Sequence, residues 1–287
     1  MKRNLHIFFE LVKVRITVFV TVTTGFGYIA SSGIIDINII PVLIGVLLLA
    51  FGSAAMNHYQ EKNYDAKMDR TKSRPIPSGR ITSSNVLILS VALILFGSFI
   101  LILWTNVLTL GLGLLNLFWY NFVYTLLKRI TPFAIIPGSL VGAVPPMIGW
   151  AAAGGSLFDP QIIVIAFFFF VWQIPHFWLL LLVLDKDYQQ GGFPTLTQVF
   201  SREQLSRITF IWISSTAVAG LLIPLFGLVK DFWIAAALIF CSMWLTWKAF
   251  SLLDDSENYS VFRYNFRYIN YFALSVIVLV SFDKLFL

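Results

Sequence analysis

Long apolar segments alternate with short polar ones along most of this chain. Nine of the apolar runs are long enough to cross about 30 Å of hydrocarbon as α-helices. They fall at roughly residues 15–32, 38–56, 85–104, 107–127, 132–153, 161–184, 208–229, 231–250 and 265–283. The pattern predicts an all-α fold, a polytopic membrane bundle of nine transmembrane helices that forms a single domain over residues 1–287.

The basic residues are divided very unevenly between the two sets of connecting segments. Of the 20 Lys and Arg, 18 lie in the N-terminal segment and in every second connection after it, and only Lys230 and Lys284 lie on the other side. Basic residues accumulate on the cytoplasmic side of membrane proteins. We therefore expect a cytoplasmic N-terminus and two long cytoplasmic loops, at about 57–84 and 185–207.

The composition agrees with a chain whose surroundings are a lipid bilayer. Hydrophobic residues make up 58% of it and charged residues only 12%, against about 25% charged in soluble domains. No nucleic-acid partner is expected. The single cysteine, Cys241, excludes both a disulfide framework and a cysteine-based metal cluster.

The first long loop begins with three oxygen-bearing side chains at every fourth position, Asn57, Glu61 and Asp65. Each step of four residues turns a helix by only about 40°, so the three share one helix face. Such a face favours a hard cation, and Mg²⁺ shared with substrate phosphates is the usual one. The alternative interpretation is a solvated helix with ordinary surface charges.

The second long loop carries another acidic stretch, LDKDYQQGGFP, at residues 184–194. Asp185 and Asp187 are about 200° apart on a helix, so only one of them can face a given ion. The two loops follow the second and sixth helices, which suggests that two helix ends contribute acids to one pocket. Taken alone, this stretch is equally well explained as an ordinary loop.

Polar side chains within the apolar runs are further candidates. His176 follows Pro175 inside a span, where an ionisable residue is by default functional, although a bond to a neighbouring helix is the alternative. A predicted stripe that ends at Lys128 and Arg129 contains Asn116, Tyr120, Asn121 and Tyr124. These cations are placed to bind phosphate, or equally to anchor the helix at the membrane interface.

A metal-binding face beside cations, at the mouth of an apolar bundle, suits a polyprenyl diphosphate. Its anionic head would bind Mg²⁺ together with Arg70, Arg74 and Lys128, and its tail would lie between the helices. Metal and cations would stabilise the departing diphosphate. Aromatic rings would stabilise the allylic carbocation that remains.

The segment NHYQEKNYD, followed by KMDRTKSRPIPSGR, resembles the first signature of the UbiA-type intramembrane prenyltransferases, NxxxDxxxD with a downstream RTxxRP. Four further runs, VYTLLKRITP, PGSLVGAVPPMIGWAAAGG, WQIPHFW and KDYQQGGFP, are similar to those of the protoheme IX farnesyltransferase (haem O synthase) branch. The resemblance covers about residues 11–200. It departs from the usual pattern at Glu61, where Asp is expected, and at Val14 and Leu126, where proline is expected.

This resemblance implies a nine-span enzyme of the bacterial cytoplasmic (inner) membrane, with its active site facing the cytoplasm. It would transfer the farnesyl group of farnesyl diphosphate to a vinyl group of haem B, with Mg²⁺ as cofactor. Haem A synthase or cytochrome oxidase assembly proteins would be partners. The matching catalytic residues are Asn57, Glu61, Asp65, Asp187 and Tyr188, all but Tyr188 as metal ligands. Four basic residues match substrate-binding positions of the family: Arg15, Arg70, Arg74 and Lys128. Two histidines, His58 and His176, are candidates for binding haem as iron ligands or propionate partners.

Two other hypotheses remain open at this stage. A prenyltransferase acting on a quinone precursor or another aromatic acceptor would yield a prenylated quinone precursor in cell extracts, whereas the first hypothesis yields a farnesylated haem. A transporter or non-catalytic lipid-binding protein would hold its substrate near the middle of the bilayer. The charge here collects at one face instead, which favours an enzyme.

Overall fold

A computed structural model gives the fold for residues 2–254 and 259–287. Within these ranges the chain has no β-strand, and nine helical stretches are long and apolar enough to cross a membrane. They are Val14–Ser32, Ile39–Asp65, Ser83–Trp104, Val107–Leu127, Pro132–Ala152, Pro160–Val183, Arg202–Leu225, Phe232–Asp254 and Ser260–Phe286. The predicted all-α class and the predicted number of spans are both confirmed.

Several spans are assembled from more than one helix. In chain order the α-helices are α1 (Lys2–Leu11), α2 (Val14–Ser32), α3 (Ile39–Asp65), α4 (Ser83–Trp104), α5 (Val107–Phe118), α6 (Thr125–Leu127), α7 (Ile135–Gly138), α8 (Leu140–Ala152), α9 (Pro160–Val183), α10 (Asp185–Gly191), α11 (Arg202–Leu225), α12 (Phe232–Ala249), α13 (Ser251–Asp254) and α14 (Tyr259–Phe286). A π-helix at Trp119–Tyr124 joins α5 to α6, and 3₁₀ turns lie at Pro132–Ala134 and Leu196–Gln198.

The second span is longer than the apolar run that predicts it. The run ends near residue 56, but α3 continues to Asp65 because this stretch contains no glycine or proline and includes good helix formers such as Glu61 and Lys62. At the second loop, α11 begins at Arg202 instead of about 208, after a capping box formed by Ser201 and Gln204. Both loops are therefore shorter than predicted, and the first acidic cluster lies on a helix that continues from the membrane span.

Small residues bring α2 and α8 into backbone contact. A Cβ on Gly149 of α8 would collide with the carbonyl oxygen of Thr24, and one on Gly27 of α2 would collide with the Pro146 backbone. Close approach of this kind is what small residues allow between membrane helices. It fixes the direction of α2, whose first turn lies beside the acidic face of α3.

The largest apolar core surrounds α9. Phe168 and Phe169 are fully buried, and α9 packs against α2, α8, α11 and α14. The helix continues through Pro175 to Val183 without a break between elements. It therefore carries His176 into the bundle and leads directly into the second acidic stretch at its C-terminal end.

The fourth span changes its helical geometry where it approaches the loops. In the π-helix at Trp119–Tyr124 the Thr125 backbone N–H and hydroxyl both donate to the Tyr120 carbonyl oxygen. This insertion moves Asn121 off the predicted stripe and toward α3, where its side chain bonds Ser53 and Gln60. Tyr120 and Tyr124 stay together, with their rings stacked 5.9 Å apart. π-Helical turns of this kind are frequent at functional sites.

Candidate active site

The acidic face predicted on the second span is present. Asn57, Glu61 and Asp65 lie on consecutive turns of α3, and their exposed fractions are only 1%, 5% and 0%. Buried carboxylates are costly unless they are paired with cations. The site must therefore contain basic partners, and the structure supplies them from three other segments.

Each member of the acidic face contacts one cation. The Lys13 Nζ donates to Asn57 Oδ1 at 2.6 Å, and Arg74 Nη1 donates to both oxygens of Asp65 at 2.7 and 2.8 Å. The Lys128 ammonium forms an ion pair with Glu61 Oε1. Arg74 and Lys128 lie at the predicted diphosphate-binding positions, so the structure brings two of the predicted cations to the predicted acids.

Lys13 joins the site although its role was not predicted from the sequence. It lies between α1 and α2 with φ at +49°, and among the described residues no other non-glycine residue has a positive φ. A side chain in the left-handed region costs of order 1–2 kcal/mol, and such strain concentrates at functional positions. Burial, with the nearby Arg74 charge, lowers the pKa of Lys13 to about 7. The available sequence signal was a lysine immediately before the first apolar run.

Lys128 is positioned by the π-helix and its contacts with α3. Thr125, one turn earlier, accepts a hydrogen bond from Asn57 Nδ2 at 3.3 Å, so the two helices are joined directly at the acidic face. Burial alone would lower the pKa of Lys128, but the Glu61 carboxylate and neighbouring tyrosines outweigh it, and the pKa lies above its ordinary value. Lys128 therefore stays charged near neutral pH.

Aromatic rings border the Lys128 side of the site. The Lys128 ammonium lies 5.6 Å from the centre of the Tyr124 ring and 5.5 Å from that of Phe193. Phe193 also contacts the rings of Tyr64 and Tyr188, at 4.8 and 5.5 Å. Tyr188, a predicted catalytic residue, thus belongs to an aromatic wall beside the cation.

The second acidic stretch meets the first loop, as predicted from the positions of the two loops. Asp187 forms an ion pair with Arg70 at 3.5 Å. The Asp69 carboxylate accepts a hydrogen bond from Gln190 Nε2, and the Asp69 backbone N–H donates one to Gln190 Oε1, both at 3.4 Å. Asp185 instead remains within its own loop, accepting hydrogen bonds from Thr197 and Gln189 at 2.6 and 2.8 Å. Only Asp187 therefore faces the first loop, consistent with the expectation that the two aspartates have different roles.

The donor set fits a hard cation that is shared with a phosphate ligand. Glu61 is buried, and its Oε1 is in direct contact with the Lys128 ammonium. Within residues 2–254 and 259–287, no three His, Cys, Asp or Glu side chains converge into a complete metal cage. Mg²⁺ is commonly bound by one or two carboxylates together with substrate phosphates. Asn57, Glu61 and Asp65 would supply oxygen ligands to one side of such an ion and leave its other side open to phosphate oxygens.

Three predicted residues lie outside this cluster. Arg15 is exposed on the first turn of α2, whereas Lys13, two residues before it, reaches the acidic face. His58 is 1% exposed, and neither of its ring nitrogens forms a hydrogen bond within the described chain. His176 lies deeper in the bundle, where its Nδ1 is 2.9 Å from Asn270 Oδ1 on α14. The alternative given above for His176, a bond to a neighbouring helix, is therefore realised.

Comparison with known proteins places these features in a family context. Residues 18–271 match the model of the UbiA prenyltransferase family. A protein named protoheme IX farnesyltransferase from Nitratidesulfovibrio vulgaris strain DP4 is 33% identical over 239 residues, covering 83% of this chain and 83% of the relative. A protein of the same name from Geobacter sulfurreducens is 41% identical over 197 residues, covering 68% and 73%.

The fold has counterparts among solved structures. A UbiA homolog from Archaeoglobus fulgidus, solved bound to GPP and Mg²⁺, aligns with a TM-score of 0.70 at 14% sequence identity. The alignment covers 96% of this chain and 99% of that one. At this level of identity the likeness establishes a common fold.

Proposed function

The chain belongs to the UbiA prenyltransferase family and is an integral membrane prenyltransferase, and we propose that it transfers the farnesyl group of farnesyl diphosphate to a vinyl group of haem B. The observation that carries this proposal is the buried acidic face of α3, with a cation on each of its three members. The names of the relatives support farnesyl as the donor group and protohaem as the acceptor.

We assign diphosphate binding to the cations that now pair with the acids. Asn57, Glu61 and Asp65 would hold Mg²⁺, which stabilises negative charge on the leaving diphosphate. With the acids bound to metal, Lys13, Arg74 and Lys128 would be released to the diphosphate oxygens. Arg70, which is paired with Asp187 at the junction of the two loops, would close over the same anion. Four basic side chains would then surround the group that gains charge as the bond breaks.

The aromatic residues are placed to stabilise the carbocation that remains when the diphosphate leaves. The C–O bond of the allylic diphosphate breaks with its electron pair on the diphosphate, leaving a delocalised carbocation. Tyr120, Tyr124 and Phe193 line the Lys128 side of the site, and ring faces stabilise cations. The vinyl π-electrons then form the new C–C bond, and addition of water with loss of a proton neutralises the resulting cation.

Purified protein in lipid nanodiscs, supplied with farnesyl diphosphate, haem B and Mg²⁺, tests this proposal. We expect a farnesylated haem by mass spectrometry, equimolar diphosphate release, and loss of both when the metal is chelated. Hydroxybenzoate or hydroxynaphthoate in place of haem B is the matched control. Product from these acceptors and none from haem would replace the proposal by the quinone-precursor alternative, and absence of any product would favour a non-catalytic role.

We expect Lys13→Gly to separate stability from activity. Glycine adopts φ near +49° without strain, so the melting temperature should stay unchanged or rise. Loss of one charged hydrogen-bond donor, worth about 1.5–3 kcal/mol, should lower the rate of transfer roughly 10- to 100-fold. Thermal unfolding and initial rates measure the two effects. Lys13→Arg, which retains the charge and the strain, is the control, and equal rates in the two variants would exclude Lys13 from the site.

The proposed orientation places the active site on the cytoplasmic side of the inner membrane. Soluble prenyl diphosphates are cytoplasmic, and the charge distribution of the loops agrees with this side. Ser84, exposed in the first turn of α4, and Ser156, exposed between α8 and α9, lie on opposite sides in this orientation. In a Cys241→Ala background, we expect Ser156→Cys to react with an impermeant thiol reagent on intact cells. Ser84→Cys should react only after the membrane is opened, and the reverse pattern would overturn the orientation.

A further inference from the structure

His176 on α9 is held by a side chain from the last helix. Its Nδ1 lies 2.9 Å from Asn270 Oδ1, and α9 and α14 are further joined by a hydrogen bond from Trp172 Nε1 to the Ile269 carbonyl oxygen at 3.1 Å. Two polar contacts within apolar surroundings thus fix the relation between these helices close to the histidine.

The Asn270 contacts determine which nitrogen of His176 carries the proton. Asn270 Nδ2 donates to the Phe266 carbonyl oxygen at 2.5 Å, so the other side of the amide, Oδ1, is the one that accepts. Nδ1 of His176 must therefore be the protonated nitrogen. Nε2 is left with its lone pair free to bind a proton donor or a metal.

The orientation of the imidazole is also fixed by its ring contacts. The rings of Trp172 and Phe266 lie 4.7 and 4.9 Å from it, both tilted by 41°. Within the described residues no hydrogen bond is formed by Nε2, and the His176 side chain is only half-buried. The imidazole therefore keeps an unused lone pair on Nε2.

A continuous series of aromatic contacts links His176 to the diphosphate site. The Phe177 ring lies 5.7 Å from the His176 ring and stacks on Tyr124 at 5.7 Å with an angle of 6° between the planes. Tyr124 in turn lies beside the Lys128 ammonium. A flat, apolar acceptor held at His176 would thus lie against the same aromatic surface that lines the site of ionisation.

We infer that His176 Nε2 ligates the iron of the haem acceptor and that Asn270 is its positioning residue. This inference rests on the proposed function, since it concerns the same acceptor. Metal-ligating histidines characteristically donate the other ring N–H to an oxygen acceptor, which fixes the tautomer and raises the basicity of the ligating nitrogen. The His176–Asn270 pair has this arrangement already within the protein, and axial histidine is a common ligand of haem iron.

Spectroscopy of haem B bound to the purified protein tests the inference without depending on turnover. We expect wild-type protein to give the electron paramagnetic resonance and Soret spectra of histidine-ligated haem. His176→Gly should lose that signature and regain it when imidazole is added. His6→Ala, which removes an exposed histidine, should keep it. An unchanged spectrum in His176→Gly would overturn the inference.

Substitutions at Asn270 allow a second measurement, whose result would not change if Asn270 had only a structural role. We expect the iron–histidine stretching frequency of the ferrous form to fall in Asn270→Leu, which removes the acceptor, and to rise in Asn270→Asp, which strengthens it. Equal frequencies in the three proteins would exclude positioning by Asn270.

Mass spectrometry of the same samples separates this inference from the proposed function. Farnesylated haem formed by a protein without a histidine-ligated spectrum would overturn the ligand assignment and leave the proposed function intact. A histidine-ligated haem that is never farnesylated would overturn the function and support the ligand assignment.

Discussion

Asp65→Asn is expected to abolish farnesyl transfer, with a loss of about 1000-fold or more. The variant keeps the size of the side chain but removes the charge that would hold Mg²⁺ and, through Arg74, organise the basic side of the site. Loss of a single well-placed group that stabilises developing charge typically costs 100- to 1000-fold, and a metal ligand acts on both binding and chemistry. Initial rates measured over a range of Mg²⁺ concentrations would show the effect.

The effect of Asp65→Asn on folding must be measured beside its effect on activity. Breaking a buried ion pair costs about 3–5 kcal/mol, because the remaining charge loses its partner. Arg74 is less buried than Asp65, so its cost should lie at the lower end. Adding Arg74→Gln should restore stability without restoring activity. Turnover near the wild-type rate at limiting Mg²⁺ would remove Asp65 from the site.

Glu61→Gln is expected to be nearly as damaging, whereas Glu61→Asp should remain active. The glutamine variant leaves the Lys128 ammonium buried without a counterion and takes a carboxylate from the metal side of the site. We expect a loss of about 100- to 1000-fold. The aspartate variant keeps the charge and restores the residue usual in the resembled signature, so its affinity for Mg²⁺ should be equal or higher.

Comparing the two substitutions separates charge from side-chain length at one position. Metal titrations of initial rate for wild type, Glu61→Asp and Glu61→Gln give the apparent Mg²⁺ affinity of each. If the glutamine variant matches the aspartate variant in both rate and affinity, Glu61 is not a metal ligand and its ion pair with Lys128 is only structural.

The elements that the sequence predicts well are those set by local physics. A span is recognised by about 20 consecutive apolar residues, so the nine spans are correct to within a few residues at most ends. The shared face of Asn57, Glu61 and Asp65 follows from helical periodicity alone. The apolar run predicts a membrane span that ends near residue 56, whereas the helix itself continues through the acidic face to Asp65.

The partners of these residues could not be predicted, because they depend on contacts between distant segments. Lys13 lies 44 positions before Asn57, and its approach requires a strained backbone that no local pattern indicates. The sequence showed that Asp185 and Asp187 must point apart, but only the packing of the two loops places Asp187 beside Arg70. Likewise, the Asn270 partner of His176 comes from a span with little recognisable signature.

The π-helix at Trp119–Tyr124 determines where this span can lose a residue without moving the site. The wide turn contains one residue more than an α-helix would place there, so deleting Phe122 would let the span close into a regular helix. The residues beyond the deletion, Lys128 included, would keep nearly their present direction, because the wide turn already absorbs the extra residue. Deleting Leu115 from the regular helix α5 would instead rotate every later residue by about 100° and move Lys128 away from Glu61. Within this span, the loss of a single residue should therefore be tolerated in the π-helix and eliminated by selection in the α-helical turns before it.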